Sequence, residues 1–245
     1  SCIPMPTRSM NASPENGFNL PSGKGGSGIC LGPTIDMQQL RELFGNTIRA
    51  AKILGVDPEL QTELAAKRPR LAPNQIAPDG TLQEWLKPYK EREPEHRHCS
   101  PLYGLYPYYE ITPDGTPEMA AAARKLLERR GVAQSTGWSN AWKVNLWARL
   151  GDAEKSRGFV HRMVTDNCFD NMLSHFRPGP KKLFQIEANF GLTSGVVEML
   201  LQSQPESGEI DAQPVIRLLP ALPKEWADGK VTGLLARGGF EVDIA

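Results

Sequence analysis

The chain has 245 residues, 28 basic and 28 acidic, so it carries no net charge and shows neither the basic footprint of a nucleic-acid binder nor that of a membrane-surface protein. Hydrophobic residues make up 40%, enough for a sizeable core. No apolar run approaches the roughly 18 residues needed to span a bilayer.

The start, Ser1-Cys2-Ile3-Pro4, has no initiating Met and no continuous apolar stretch of the signal-peptide kind, which reads as a soluble chain cut from something longer. Residues 1–32 are rich in Pro, Gly, Ser and Asn. Gly23–Gly28 has the composition of a phosphate loop but not the G-x-x-x-x-G-K-[ST] order, and no strand precedes it, so it is expected to be a surface loop. Asn11-Ala12-Ser13 is a glycosylation sequon, relevant only in a secreted protein. Cys2, Cys30, Cys99 and Cys168 are scattered without a C-x-x-C pair, which argues for separate thiols rather than a zinc site.

From Thr34, expected to cap, apolar residues recur at three- and four-residue steps until Gly55 and predict a helix. A second helix is expected from Pro58 to about Lys67, and a third, short one around Leu82–Leu86. Further helices are predicted over 117–130, where Pro117 suits a first turn, then about 138–150, 153–165 and 189–202. After Pro214 the texture becomes strand-like, at 215–219 and 239–244, the latter with no visible partner. The expectation is a mainly α domain over 1–206 followed by the start of a small β domain over 207–245, truncated at its end.

The uncommon polar residues cluster between these helices, where a rigid scaffold commonly carries binding groups. In Leu183–Gly191, Glu187 and two amides lie among Phe184, Ile186 and Phe190. A charge in such apolar surroundings is costly unless it is paired or used, although a helix N-terminus held by Glu187 or Asn189 would account for the same pattern. Glu15 sits in Ser13-Pro14-Glu15-Asn16, where a solvated loop is the plainer reading. Glu84 precedes Trp85 and could equally be an ion-pair partner. His96 and His98 alternate, so an extended segment would turn them to opposite sides, too little for a metal site. Trp138, Trp142 and Trp147 lie at helical steps, and core packing explains at least two of them. Together, carboxylates, Trp, His and Asn on loops suit a carbohydrate cleft, where aromatic faces meet sugar C–H surfaces and acidic groups cleave the glycosidic bond.

Ten strings in order carry a resemblance: SPEN (13–16), GPTIDMQQLRELF (32–44), AAKILGV (50–56), LQEW (82–85), EHRHCS (95–100), TGWSNAWKVNLWARL (136–150), FQIEANFG (184–191), EMLLQS (198–203), RLLPALPKEW (217–226) and RGGFEVDI (237–244). The chain closely resembles glycoside hydrolase family 95, inverting α-L-fucosidases acting on α-1,2-linked fucose, some members preferring α-L-galactose. That resemblance implies part of an (α/α) six-hairpin barrel followed by a small β domain. It also implies single displacement, in which a glutamic acid protonates the glycosidic oxygen while a water attacks from the opposite face. In this family, asparagine side chains made more basic by a carboxylate activate that water.

Carried over by position, the resemblance makes Glu15 the acid, with Glu84 the second choice, and Glu187 the carboxylate, where the family usually has Asp. Glu84, Trp85, His96, His98, Trp138 and Asn189 become substrate-binding candidates. Pro101 departs from the family's HRH-x-SH. The family's water-activating N-x-N triplet is absent from the 245 residues, so this portion by itself is expected to be inactive. The implied partner is a fucosylated oligosaccharide or glycan, with no cofactor, nucleic acid or membrane. Secretion is an expectation from the family, and oligomeric state is left open. A catalytically lapsed carbohydrate-binding relic and an α-L-galactosidase are the alternatives.

Overall fold

The helical periodicities become helices at nearly the expected positions in a computed structural model of the chain, which describes residues 6–8, 29–89, 91, 93–133, 135–179 and 182–245. Helix α1 runs Thr34–Leu54 and ends where Gly55 takes the left-handed conformation at φ 68°, which glycine adopts without penalty. Helix α2 is Pro58–Lys67, α3 Pro117–Arg130, α4 Gly137–Arg149, α5 Ala153–Asp166 and α6 Ile186–Leu200. The chain is therefore mainly α, as its periodicity predicts.

Its strands are short and antiparallel. Strand β1, Pro6–Arg8, pairs with β2, Ile29–Leu31; β3, Leu201–Gln202, pairs with β4, Arg217–Leu218; β5, Val231–Ala236, pairs with β6, Phe240–Ile244.

Three local expectations are corrected. Thr34 does not cap α1; it is the first helical residue, and its hydroxyl donates to the Gln83 carbonyl at 2.6 Å. Residues 82–86 form no helix, because the backbone there bonds outward: Leu82 N–H donates to Ala122 O and the Glu84 carbonyl accepts from Thr34 N–H. Strand β6 has a partner, the β5 hairpin arm, hidden in the sequence because Gly233 and the register shift between Val231 and Leu234 break its alternation.

Contacts divide the chain into two compact units. One comprises the described residues up to Ile111 with Gly115–Arg130 and Ser207–Ala212; the other comprises Thr112–Asp114, Gly131–Glu206 and Gln213–Ala245. In the first, α1 packs on α2 and on the 3-10 turn Ser100–Gly104. Gln38, fully buried on α1, fastens that turn by donating to the Pro101 carbonyl at 2.8 Å and accepting from Gly104 N–H at 2.9 Å.

In the second unit α4 packs along α5 and α6. Val144, Ala148, Met199 and Ala221 form one core cluster, and Ala141, Met163 and Ala188 another, with Leu192 touching both. Small residues permit the close approach of α4 and α6. A Cβ at Gly195 would stand 2.5 Å from Val144 Cγ1, and one at Gly191 would stand 3.1 Å from the Ala141 Cβ. Polar clamps reinforce the seam. Asn145 donates to the Gly191 carbonyl and accepts from Ser194 Oγ, while Arg149 grips Glu198 at 2.5 and 3.1 Å.

Candidate functional site

Two groups of sequence-selected residues occupy the two units, and each has its own chemistry. Glu15 lies outside the described residues, as do the sequon and the Gly23–Gly28 segment.

In the first unit Glu84 and Trp85 follow the backbone ladder that joins the 82–84 segment to α1 and α3, and both are buried. Glu84 Oε2 meets Arg130 at 2.8 Å, with the side chains 3% and 0% exposed. Arg130, at the end of α3, is the hub: it also bonds Glu91 at 2.5 Å and donates to the carbonyls of Pro94 and His98 at 2.6 and 3.0 Å. Burial opposes its charge, but the Glu91 hydrogen bond and the Glu84 and Glu91 carboxylates outweigh that, and its pKa is raised. Asp79 extends the network through Arg129 and Thr81; the Thr81 hydroxyl contributes most to lowering its pKa, against a smaller burial effect. A cleft of about 400 Å³ lies here, lined by Gln83, Glu84, Trp85, Tyr89, Glu91 and Arg129 among others.

His96 and His98 differ from their expected disposition. The chain turns at 94–98 rather than running extended, so the two rings stack at 4.8 Å and 13° on one side, and His98 N–H donates to His96 Nδ1 at 3.2 Å. Burial, then the neighbouring charges of His96, Arg97 and Arg130, push the His98 pKa down to about 4. Burial likewise lowers His96. Both rings are neutral hydrogen-bonding groups near neutral pH.

In the second unit Glu187 stands in the first turn of α6. The buried stripe of that helix is Ala188, Gly195 and Met199, with Leu192 partly buried, at steps of three and four. Glu187 lies off that stripe and is exposed, as are Phe184, Ile186 and Phe190 at 57%, 38% and 68%. The expected apolar enclosure of this carboxylate is therefore not met within the chain: the surrounding apolar side chains face outward with it. Among the described residues the Glu187 carboxylate has no hydrogen-bond or ion-pair partner. The partial positive charge at the helix N-terminus favours an acidic residue there.

Trp138 opens α4 beside it. Its N–H donates to Gln185 Oε1 at 3.0 Å, and its ring tilts against Trp142 with centroids 6.3 Å apart. Trp147 is buried core, as spacing suggested. Gly137 is required at this junction, since a Cβ there would sit 2.5 Å from the His175 carbonyl oxygen. Asn189, half-buried, accepts from the N–H and hydroxyl of Ser174, both at 2.8 Å, and donates to the Met172 carbonyl at 2.9 Å. A shallow hollow of about 490 Å³ adjoins, lined by Phe169, Asp170, Asn171, Leu173, Lys182 and Phe184. Arg130 and Ser174 have no signature in sequence: an Arg in a last turn reads as a partner of the helix dipole, and an isolated Ser reads as loop polarity.

The family model of the glycosyl hydrolase family 95 catalytic domain matches residues 6–200, and that of the family 95 C-terminal domain matches 211–245. The chain belongs to glycosyl hydrolase family 95. It is 36% identical to Alpha-L-fucosidase 2 of Arabidopsis thaliana over 251 aligned positions, covering 96% of this chain and 28% of that protein. It is 32% identical to the Probable alpha-fucosidase A of Aspergillus oryzae, covering 88% of this chain and 32% of that protein. With the protein of the same name from Aspergillus niger the identity is 31%, covering 95% and 30%. The chain thus spans 28–32% of the length of these family 95 relatives. Among the described residues no group of three or more His, Cys, Asp and Glu is arranged to hold a metal, and no helix is long and apolar enough to cross a membrane.

Proposed function

We propose that this family 95 chain is part of an inverting α-L-fucosidase that removes terminal α-1,2-linked L-fucose from oligosaccharides or glycans. The observation that carries this reading is the exposed Glu187 carboxylate on the first turn of α6, within the FQIEANFG segment, which has no partner among the described residues. A carboxylate exposed in this way is available to polarise the groups that handle the attacking water.

In this mechanism Glu15 protonates the glycosidic oxygen as the bond to the anomeric carbon breaks, and water enters from the opposite face. The water's proton passes to an amide whose basicity Glu187 raises, and fucose leaves with inverted configuration. Inverting enzymes separate the acid and base functions by roughly 6.5–9.5 Å to admit that water. The family's activating asparagines are not among these 245 residues, so the chain by itself is expected to release no fucose. His96, His98, Trp85 and Trp138 are assigned to sugar contact; the two neutral imidazoles suit hydroxyl groups better than a phosphate or carboxylate. The buried carboxylate of Glu84 serves Arg130, which favours Glu15 as the acid.

The test is fucose release from 2'-fucosyllactose by a polypeptide of the relatives' full length containing this chain, with the first-formed anomer followed by NMR. β-L-fucose as initial product, lost in Glu15→Gln and retained in Glu84→Gln, is the expected result. Release of L-galactose in preference to fucose would move the substrate. Glycan binding without any hydrolysis would replace the enzyme by a carbohydrate-binding relic.

A further inference from the structure

The first turn of α6 begins at Gln185, whose side chain makes no cap bond to its own helix. What anchors that turn comes from the segment 168–176 instead. Phe169 N–H donates to Leu173 O and Met172 N–H to Phe169 O, closing a tight loop in which Met172 adopts φ 67°, a left-handed conformation that a non-glycine side chain disfavours. Asn189 captures the carbonyl of that strained residue at 2.9 Å.

Ser174 completes the fastening. It is fully buried and its N–H donates to Asn189 Oδ1 at 2.8 Å. Its hydroxyl proton is shared between Asn189 Oδ1, also at 2.8 Å, and the Gln185 carbonyl. Gln185 N–H returns a bond to the Ser174 carbonyl at 3.0 Å, and Gln185 Oε1 accepts from Trp138 N–H at the start of α4. Gln185 and Asn189 thus flank Glu187 by two residues on each side, and both are held by one buried serine.

We propose that Ser174 and Asn189 are positioning residues: they fix the first turn of α6 on the 168–176 loop, and through it the Glu187 carboxylate, instead of Asn189 being spent on the sugar. This rests on the assignment of Glu187 to the reaction. Glu187 has no side-chain partner among the described residues, so its placement depends on its backbone, and a displacement of about 1 Å at a reacting group can cost on the order of a hundredfold in rate. The oxygen of the Asn189 amide is filled by two donors and one N–H is committed to Met172, a pattern of internal work rather than of an open ligand-binding amide.

The experiment compares Ser174→Ala, Asn189→Ala and the double variant in the full-length polypeptide, reading kcat and KM for fucose release together with amide hydrogen exchange of residues 172–189. Each single variant is expected to lower kcat about tenfold or more with KM within about twofold. The double variant should fall little further, because both residues act in one unit, and exchange should quicken at 172–174 and 186–189. Ser174 cannot reach a sugar, so its loss of kcat is the effect that a sugar-contacting Asn189 does not predict. A rise in KM of tenfold or more for Asn189→Ala with kcat unchanged, and Ser174→Ala silent, would overturn the proposal. If the unsubstituted polypeptide releases no fucose, the proposed activity fails. The staple is then judged by exchange alone: faster exchange in both variants supports it, and unchanged exchange rejects it.

Discussion

Glu84 and Arg130 are joined at 2.8 Å with side chains only 3% and 0% exposed, whereas Glu187 stands exposed without a partner among the described residues. The two glutamates that the resemblance brings forward in the described residues thus have opposite environments. Arg130 has already lost its water, and Glu84 and Glu91 replace it. Removing one carboxylate leaves a buried cation short of its compensation, which costs far more than the intact pair contributes.

Glu84→Gln is therefore expected to lower stability by about 3 kcal/mol, at the low end for a broken buried pair because Glu91 still holds Arg130. Urea unfolding followed by circular dichroism checks this. An unchanged midpoint would show that the pair is dispensable.

Glu187→Gln should behave in the opposite way. With an exposed side chain and no partner to lose among the described residues, its stability should stay within about 0.5 kcal/mol of the parent. Fucose release by the full-length polypeptide should drop by about a hundredfold or more if the carboxylate supports the attacking water. Thermal denaturation alongside initial rates separates the two effects.

Gly195→Ala should be costly for a small change. The added Cβ would stand 2.5 Å from Val144 Cγ1 and 2.8 Å from its Cβ, so α4 and α6 must move apart. Overpacking of this kind costs about 1–3 kcal/mol. The variant Gly195→Ala/Val144→Ala, which removes the Cγ1 contact and leaves the one at Cβ, should recover part of that loss in the same unfolding assay.

Acidification should destabilise the chain through its buried and half-buried histidines. The native pKa of His98, about 4, lies below the roughly 6.5 of an unfolded histidine, so the unfolded chain takes up the proton first. Stability from this group is complete above about pH 6.5, declines as the pH falls toward 4, and changes no further below that. Burial lowers His96 and His175 as well, which adds to the same slope. Melting temperature against pH should therefore fall between about 6.5 and 4, less steeply in His98→Gln.

Where local chemistry decides the outcome, the sequence was readable. The boundaries of α1, α2 and α3 follow from Gly55, Pro58 and Pro117, residues whose effect is local backbone sterics. Helix α6 was expected three residues late, at 189 rather than 186, because its N-terminus is held by Ser174, which no periodicity reports. Residues 82–86 looked helical for the same reason in reverse: their apolar spacing is real, but the partners of their backbone are Thr34 and Ala122, distant in sequence.

The candidate site divides similarly. Ordered motifs were enough to place the chain in its family and to pick Glu84, His96, His98, Trp138, Glu187 and Asn189. Their environments were not legible. The alternation of His96 and His98 suggested opposite faces, yet a turn stacks their rings; the aromatic company of Glu187 suggested burial, yet Ala188 and Met199 take the inward stripe and leave it exposed.

By itself, the sequence determined the helical class, most element ends and the family, because these depend on residue type and on spacing along the chain. Only the tertiary structure decided which carboxylate is buried against an arginine, which stands open on a helix turn, and which amide is consumed in holding that turn. Desolvation and hydrogen-bond pairing are set by neighbours 15 to 46 residues away, as in Ser174 with Asn189 and Glu84 with Arg130, and no local pattern encodes them.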